Sequence, residues 1–368
     1  MVWESCSADV AVLNFKGLCE ARGRGGIAGK IERVLNKMAK RIGLIGASGM
    51  VGGEMMRVLQ ERGYGNWELM PAASERSAGH TVRYGKCEVP IVSVAALLES
   101  RPAYVLNATE AEIALEWGPR FAEAGVYFID NSSAWRMAEG VPLVVPEINA
   151  GRLEKGKYIV ANPNCSTIQL VMALAPLHAI NPIRRVHVST YQAVSGSGIK
   201  GLQQMEKERA GESVSQPAYG HRIDQNCIAQ CDSFLENGYT KEEMKVANET
   251  RKILEAPELM ISATAVRVPV QRGHSEAVSI EFTHPMPAAK VREILRTSSG
   301  VEVIDDPEKE LIPTALECGG KDEVFVGRIR EDLAMPGVGI NLWVVSDNLR
   351  KGAATNAVQI FDRLVRLA

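Results

Sequence analysis

The chain is predicted to fold as a doubly wound parallel α/β sheet followed by an α+β domain built on a mixed sheet. Three observations carry this expectation. Short apolar runs alternate with helical patterns from Arg41 to Asp130. A glycine turn, Gly46-Ala47-Ser48-Gly49-Met50-Val51-Gly52, joins the first run to the first helical pattern. Beyond residue 165 the apolar runs lengthen and become β-type, with helical stretches between them.

Taken in order, Arg41–Ile45 reads as the first strand. Val51, Met55, Val58 and Leu59 then recur at helical spacing, and Gly63 stops that helix. Further strands are expected at Trp67–Ala73, Ala103–Leu106 and Val126–Asp130. The second part offers strands at Arg185–Ala193, Met260–Val270, Ala277–Thr283 and Gly339–Ser346. Helices are expected near Gly201–Arg209, Thr240–Leu254 and Ala288–Thr297, on one face of the sheet. Ala353–Leu367 is an amphipathic terminal helix. The expected division is a poorly ordered extension over 1–37, a first domain over 38–164 completed by a helix within 349–368, and a second domain over 165–348.

Composition narrows the class. The 368 residues suit two domains, and 46% apolar against 23% charged residues is the balance of a globular chain. A net charge of -2 suggests neither nucleic acid nor disorder. No stretch approaches the roughly 20 apolar residues that span a bilayer. Seven scattered cysteines read as reduced thiols in the cytosol, with no disulfide framework. Residues 1–37 lack the apolar core of a secretory signal, and Glu4, Asp9, Glu20 and Glu32 argue against a transit peptide. Met38-Ala39-Lys40 offers a second start just before the first strand.

The glycine turn follows a buried run and opens a helix. A side-chain-free turn there lets a pyrophosphate rest on backbone N–H groups at the positive helix end. Ser74-Glu75-Arg76-Ser77 closes the second strand. An acid at that place grips a ribose hydroxyl, whereas Arg76 between two serines suits a 2′-phosphate, so NADP is favoured over NAD.

Tyr158-Ile159-Val160-Ala161-Asn162-Pro163-Asn164-Cys165-Ser166-Thr167 places Cys165 where a strand ends and a helical segment begins. Helix-start N–H groups favour a thiolate, the nucleophilic form, so a lowered thiol pKa is expected. Among six histidines, His274 has the best setting, seven residues after Arg267 in Arg267-Val268-Pro269-Val270-Gln271-Arg272-Gly273-His274. One strand could bring an imidazole to move protons and a guanidinium to grip a carboxylate. Cys227 and Cys231 lie near His221 without a fourth ligand, so a packed helix face is expected there and no metal.

Several motifs together resemble the aspartate-β-semialdehyde dehydrogenase family: GASGMVG at 46–52, SERSAG at 74–79, DNSSAWR at 130–136, ANPNCSTIQ at 161–169, STYQAVSGSG at 189–198, EEMK at 242–245, RVPVQRGHSE at 267–276 and WVVSDNLRKGAA at 343–354. The resemblance runs in order from Arg41 onward. It implies a Rossmann-like first domain and a catalytic and dimerisation second domain. It implies Cys165 as nucleophile, His274 as acid/base and Gln192 orienting the thiol. Arg267 would clamp the substrate carboxylate, Glu243 would face its amino group, and Arg136 with Lys245 would bind phosphate. Cofactor contacts would come from Gly46, Ala47, Ser48, Gly49, Met50, Val51, Gly52, Ser74, Arg76, Ser77, Ser195, Gly196 and Asn348. The implied reaction is NADPH-dependent reduction of L-aspartyl-4-phosphate to L-aspartate 4-semialdehyde and phosphate through a cysteine thioester. It would serve lysine (diaminopimelate), threonine and methionine synthesis in the cytoplasm, in a homodimer. N-acetyl-glutamyl-phosphate reductase, glyceraldehyde-3-phosphate dehydrogenase and a non-catalytic dinucleotide-binding paralogue are the rivals. The NPNCST loop and the Arg267/His274 pair fit the other two enzymes less well.

Overall fold

The computed structural model describes residues 40–73 and 79–367. The expected extension over 1–37 and the Ser74-Glu75-Arg76-Ser77 turn lie outside the described residues.

The first strand, β1 (Arg41–Ile45), leaves through Gly46, whose φ of +83° admits glycine and strains other residues. Helix α1 (Met50–Leu59) follows, then a wide π turn over Gln60–Tyr64 that Gly63 closes at φ +88°. After β2 (Glu68–Ala73) comes a hairpin absent from the sequence reading, β3 (Thr81–Tyr84) with β4 (Cys87–Pro90). The chain then returns through β5 (Val92–Ser93), α2 (Val94–Glu99), β6 (Tyr104–Asn107), α3 (Ala111–Glu123), β7 (Tyr127–Asp130), α4 (Pro146–Asn149) and β8 (Ile159–Ala161). Six strands form one sheet in the order β5-β2-β1-β6-β7-β8, every pair parallel. Its central strands are apolar on both faces because helices cover both, as parallel sheets require. The order reverses between β1 and β6, and a crevice at the carboxyl ends of the strands is the general ligand site of such sheets.

The second part opens with α5 (Cys165–His178). Ten of its 14 residues are buried, so it is enclosed on nearly every side and has no polar face to solvent. There follow β9 (Ile183–Gln192), α6 (Gly198–Arg209), α7 (Lys241–Leu254), β10 (Met260–Arg267), β11 (His274–Phe282), α8 (Ala288–Arg296), β12 (Val301–Val303), α9 (Ala315–Cys318), β13 (Val324–Glu331), β14 (Gly339–Ser346) and α10 (Thr355–Leu367). The mixed sheet runs β10-β9-β11-β14-β13-β12, parallel at its two outer pairs and antiparallel between them.

Alternation on the strands decides which face is covered. Val186, Val188, Val278, Ile280, Leu342 and Val344 join Ile168, Val171 and Leu174 of α5, Val246 of α7 and Val291 of α8 in one core. The alternate residues Arg185, His187 and Tyr191 on β9 remain exposed. The terminal helix α10 packs on the first sheet: Phe361 meets Tyr64, Trp67 and Tyr104 edge-on at 4.8, 5.6 and 5.1 Å. Burying such an aromatic stabilises by roughly 2–3 kcal/mol. Among the described residues no helix is long and apolar enough to cross a membrane.

Candidate active site

Cys165 is the first residue of α5, and Asn164 caps the helix through Oδ1, which accepts from Ser166 N at 3.0 Å and Thr167 N at 3.3 Å. Behind this loop Glu249 of α7, fully buried, accepts from Asn164 N at 2.7 Å and from Arg136 Nη1 at 3.1 Å. The thiol opens on a cavity of about 530 Å³ where the carboxyl edge of the first sheet meets the ends of β9, β10 and β11.

Those three strand ends deliver the other polar groups. Gln192 and Arg267 are register partners at the ends of β9 and β10, and His274 begins β11. A single residue, Ala193, holds two of them. Its N–H donates to His274 Nδ1 at 3.0 Å, and its carbonyl accepts from Arg267 Nη1 at 2.8 Å. Because Nδ1 accepts, the neutral ring carries its hydrogen on Nε2. That atom is buried, without a partner among the described residues, and lies on the cavity wall. His274 therefore presents a donor to the cavity, which narrows the acid/base role expected of it. Burial, and then the Arg267 charge, hold its pKa down at about 3, with Glu242 opposing.

The expected low pKa of Cys165 is not met. Burial first, and the Glu242 carboxylate second, push the thiol up to about 12 against the pull of Arg267, Arg136 and the Ser166 N–H. A recess flanked by a carboxylate costs a thiolate more than one helix terminus returns.

Glu243 also departs from expectation. Its Oε2 accepts from Thr240 N at 2.6 Å while Thr240 caps the helix, and its Oε1 accepts from Ala265 N at 2.9 Å, so its carboxylate is spent on a capping box. Glu242, one residue earlier, lines the cavity instead. Its Oε1 accepts from Asn164 Nδ2 at 2.9 Å and Gln192 Nε2 at 3.0 Å, and its Oε2 from Lys245 Nζ at 3.2 Å. Burial alone would raise its pKa; Lys245 and the Gln192 and Asn164 amides overcome this and hold it at about 2. The gap from the ordinary 4.5 corresponds to ~3 kcal/mol, present above pH 4.5 and lost as pH falls toward 2. Acid unfolding of Glu242→Gln should accordingly show a smaller drop in stability between those limits than the wild type, measured by urea melts at each pH.

Gln192 Nε2 also donates to Ser166 Oγ at 2.6 Å, beside the thiol. Arg136 has each guanidinium nitrogen engaged: Nε with Asn162 O at 3.0 Å, Nη2 with Asn131 O at 2.9 Å and Nη1 with Glu249. It lines the cavity, as does Lys245, which also reaches Asp232 at 2.8 Å. Ser195, Gly196 and Asn348 line it too. Asn348 ties Ser195 to the turn before His274, accepting from Gly273 N at 3.0 Å. A Cβ on Gly196 would sit 2.9 Å from Arg267 Nη1 and 3.3 Å from His274 Nε2. Gly196→Ala should displace both, lowering kcat/KM by about tenfold or more with a melting temperature near wild type. A steady-state assay beside a thermal melt checks this.

Of the glycine turn, Val51 reaches the cavity, and Gly46, Ala47, Ser48, Gly49, Met50 and Gly52 lie outside its lining. The turn itself fits a pyrophosphate: a Cβ on Gly52 would lie 2.2 Å from Gly46 O, and no side chain caps α1. Its first N–H groups thus have no intrahelical acceptor. Residues 227–231 are irregular and not a helix face; Cys227 is exposed, and the buried Cys231 lines the cavity. Among the described residues no cluster of three or more His, Cys, Asp or Glu could hold a metal.

Sequence reading missed Asn164, Glu242, Glu249 and Cys231. The signal for two was available: Glu242, Lys245 and Glu249 fall at i, i+3 and i+7 on α7.

Fold and cleft together define a class: a dinucleotide-binding sheet whose carboxyl edge opens on a thiol, an imidazole and two guanidinium groups. Two family models match, "Semialdehyde dehydrogenase, NAD binding domain" over residues 41–156 and "Semialdehyde dehydrogenase, dimerisation domain" over 174–351. Aspartate-semialdehyde dehydrogenase of Aquifex aeolicus is 44% identical over 337 residues, 89% of this chain and 99% of that protein. The structure of aspartate semialdehyde dehydrogenase II from Vibrio cholerae complexed with ASA superposes with a TM-score of 0.84 at 43% identity, covering 89% of this chain and 98% of that one. The Candida albicans enzyme with NADP superposes at 0.69 with 25% identity, covering 88% and 98%. The chain belongs to the aspartate-semialdehyde dehydrogenase family, and a nicotinamide dinucleotide is its cofactor.

Proposed function

We propose that the protein reduces L-aspartyl-4-phosphate to L-aspartate 4-semialdehyde, releasing phosphate, through a thioester on Cys165. One observation carries this reading: Cys165 and the unpartnered Nε2 of His274 share a cavity with two guanidinium groups, Arg267 and Arg136, one for each anion of the substrate. Arg267 would hold the α-carboxylate as a bidentate fork. Glu242 would accept from the ammonium, a contact an N-acylated substrate cannot make. Arg136 and Lys245 would hold the phosphate.

The thiol attacks the acyl carbon, and its proton leaves with the phosphate as hydrogen phosphate, so charge and atoms balance. A neutral thiol and neutral imidazole at rest suit this sequence. When bound, the reduced nicotinamide supplies a hydride. His274 Nε2–H donates to the substrate carbonyl oxygen and stabilises the negative charge that builds there. Gln192, anchored on Ser166, fixes the thiol's approach. The thiohemiacetal oxyanion then expels the Cys165 sulfur as thiolate, which frees the aldehyde, and one proton from solvent, passed through His274 Nε2, returns the sulfur to the neutral thiol.

The coenzyme is assigned as NADP, on the strength of Arg76 and its flanking serines. Arg76→Ala should raise the apparent constant for NADP by about tenfold or more and leave that for NAD nearly unchanged. We infer a homodimer through the uncovered face of the mixed sheet, supported by exposed Tyr191 and Met260, and a cytoplasmic setting, supported by the free thiols of the five cysteines among the described residues. The division near residue 164 is likewise our assignment. Phosphate-dependent NADP reduction with aspartate semialdehyde tests the function directly; no reduction, or equal rates with and without phosphate, would overturn it.

A further inference from the structure

Beneath the reacting residues lies a buried polar cluster that this chemistry does not use. Glu276 follows His274 by two residues on β11 and so shares its face of the strand. It is fully buried, and neither carboxyl oxygen has a hydrogen-bond partner among the described residues. Its register partner on β9, Thr190, has an unpartnered hydroxyl. Gln169, one helical turn after Cys165 on α5, approaches the carboxyl with both amide atoms unpartnered. Ser346, the register partner of His274 on β14, adds another unpartnered hydroxyl.

Buried polar atoms grouped this way are ordinarily satisfied by internal water. Among the described residues an ionised carboxylate would find no cation: β9 presents Thr190, β14 presents Val344 and Ser346, and α5 presents Gln169. The titratable groups at hand are His274 on the same strand and Cys165 at the head of α5. Burial holds the Glu276 carboxyl well above the usual carboxylate range, with Gln169 acting against it. A negative charge here would stand one turn below the thiol and further disfavour its ionisation.

We propose that Glu276 is a positioning residue acting as an uncharged hydrogen-bonding group, joined through buried water to Gln169 and Thr190, and that it seats the Cys165 end of α5 against His274. The inference rests on Cys165 being the nucleophile, so its test reads the thiol directly, without turnover. Iodoacetamide modification of Cys165, resolved by peptide mass, is followed against pH in the wild type, Glu276→Gln and Glu276→Leu. An infrared spectrum of each records the carbonyl stretch of protonated carboxyl groups. Glu276→Gln should keep the wild-type profile and rate within about twofold and lose one protonated-carboxyl band, whereas Glu276→Leu should change the Cys165 rate by about tenfold. A Glu276→Gln profile displaced by a pH unit or more, or no band lost, would show a charged Glu276 and overturn the proposal. So would a folded Glu276→Leu variant with wild-type rate and profile. If Glu276→Leu does not fold, Glu276→Gln and the infrared band still decide. Substrate that fails to protect Cys165 would count against the nucleophile assignment alone.

Discussion

Cys165→Ala should abolish turnover, a loss on the order of 10⁴-fold or more, because Cys165, at the head of α5 beside the Gln192–Ser166 pair, supplies the sulfur of the covalent intermediate. The change removes one sulfur from a cavity wall, so circular dichroism, melting temperature and dinucleotide binding should stay near wild type. Labelling sharpens the test. With its thiol pushed up to about 12, Cys165 should react slowly with iodoacetamide at neutral pH, behind the exposed Cys87 and Cys227. Cys165 should nevertheless be the cysteine that substrate protects. Appreciable activity in the alanine variant would end the covalent reading, whatever the labelling order.

Arg267→Lys should cost about 2 kcal/mol in kcat/KM, roughly thirtyfold, most of it in use of the amino-acid substrate. The guanidinium does two things at once. Nη1 holds the Ala193 carbonyl at 2.8 Å, while the remaining N–H groups are available to a carboxylate. A lysine ammonium is a point charge that cannot form the fork and hold the strand together. Because Ala193 also fixes His274, loss of this bond should lower kcat as well as raise KM. Kinetics with aspartate semialdehyde at saturating phosphate separate the two, and a change confined to the constant for phosphate would show that Arg267 faces the other anion.

Much of this architecture is legible in the sequence where one residue type has one physical use. Cys165 reads as a helix start because it follows a strand and opens a helical segment, and the strand over Gly339–Ser346 has the bounds its apolar run suggests. The sequence fails where tertiary context chooses between neighbours. Glu242 and Glu243 are both acids in a first helical turn. The spacing Thr240-x-x-Glu243 is a capping box, a cue that this acid is spent on the helix and that Glu242 faces the cavity. The strand Val324–Glu331 escapes notice because its ladder shifts register between Gly327 and Arg330, with Arg328 at φ +53°, which breaks the alternation. The thiol's acidity is hidden from the sequence for a related reason. Helix position is local and readable, whereas desolvation by a cavity and a carboxylate 77 residues further along the chain is not.

The wall beside the thiol has a consequence for how the molecule is made. Gly352 packs so closely that a Cβ there would stand 3.0 Å from Cys165 Cβ, and Asn348, Leu349 and Ala353 line the same cavity. During synthesis from the N-terminus, Cys165, Arg136, Arg267 and His274 all emerge before these residues do. A nascent chain that ends before Asn348 holds every strand of both sheets while its nucleophile stands without one wall. The reactive pocket is therefore closed by a late segment, and chains arrested at Ser346 should expose Cys165 to alkylation that chains extended through Leu367 resist.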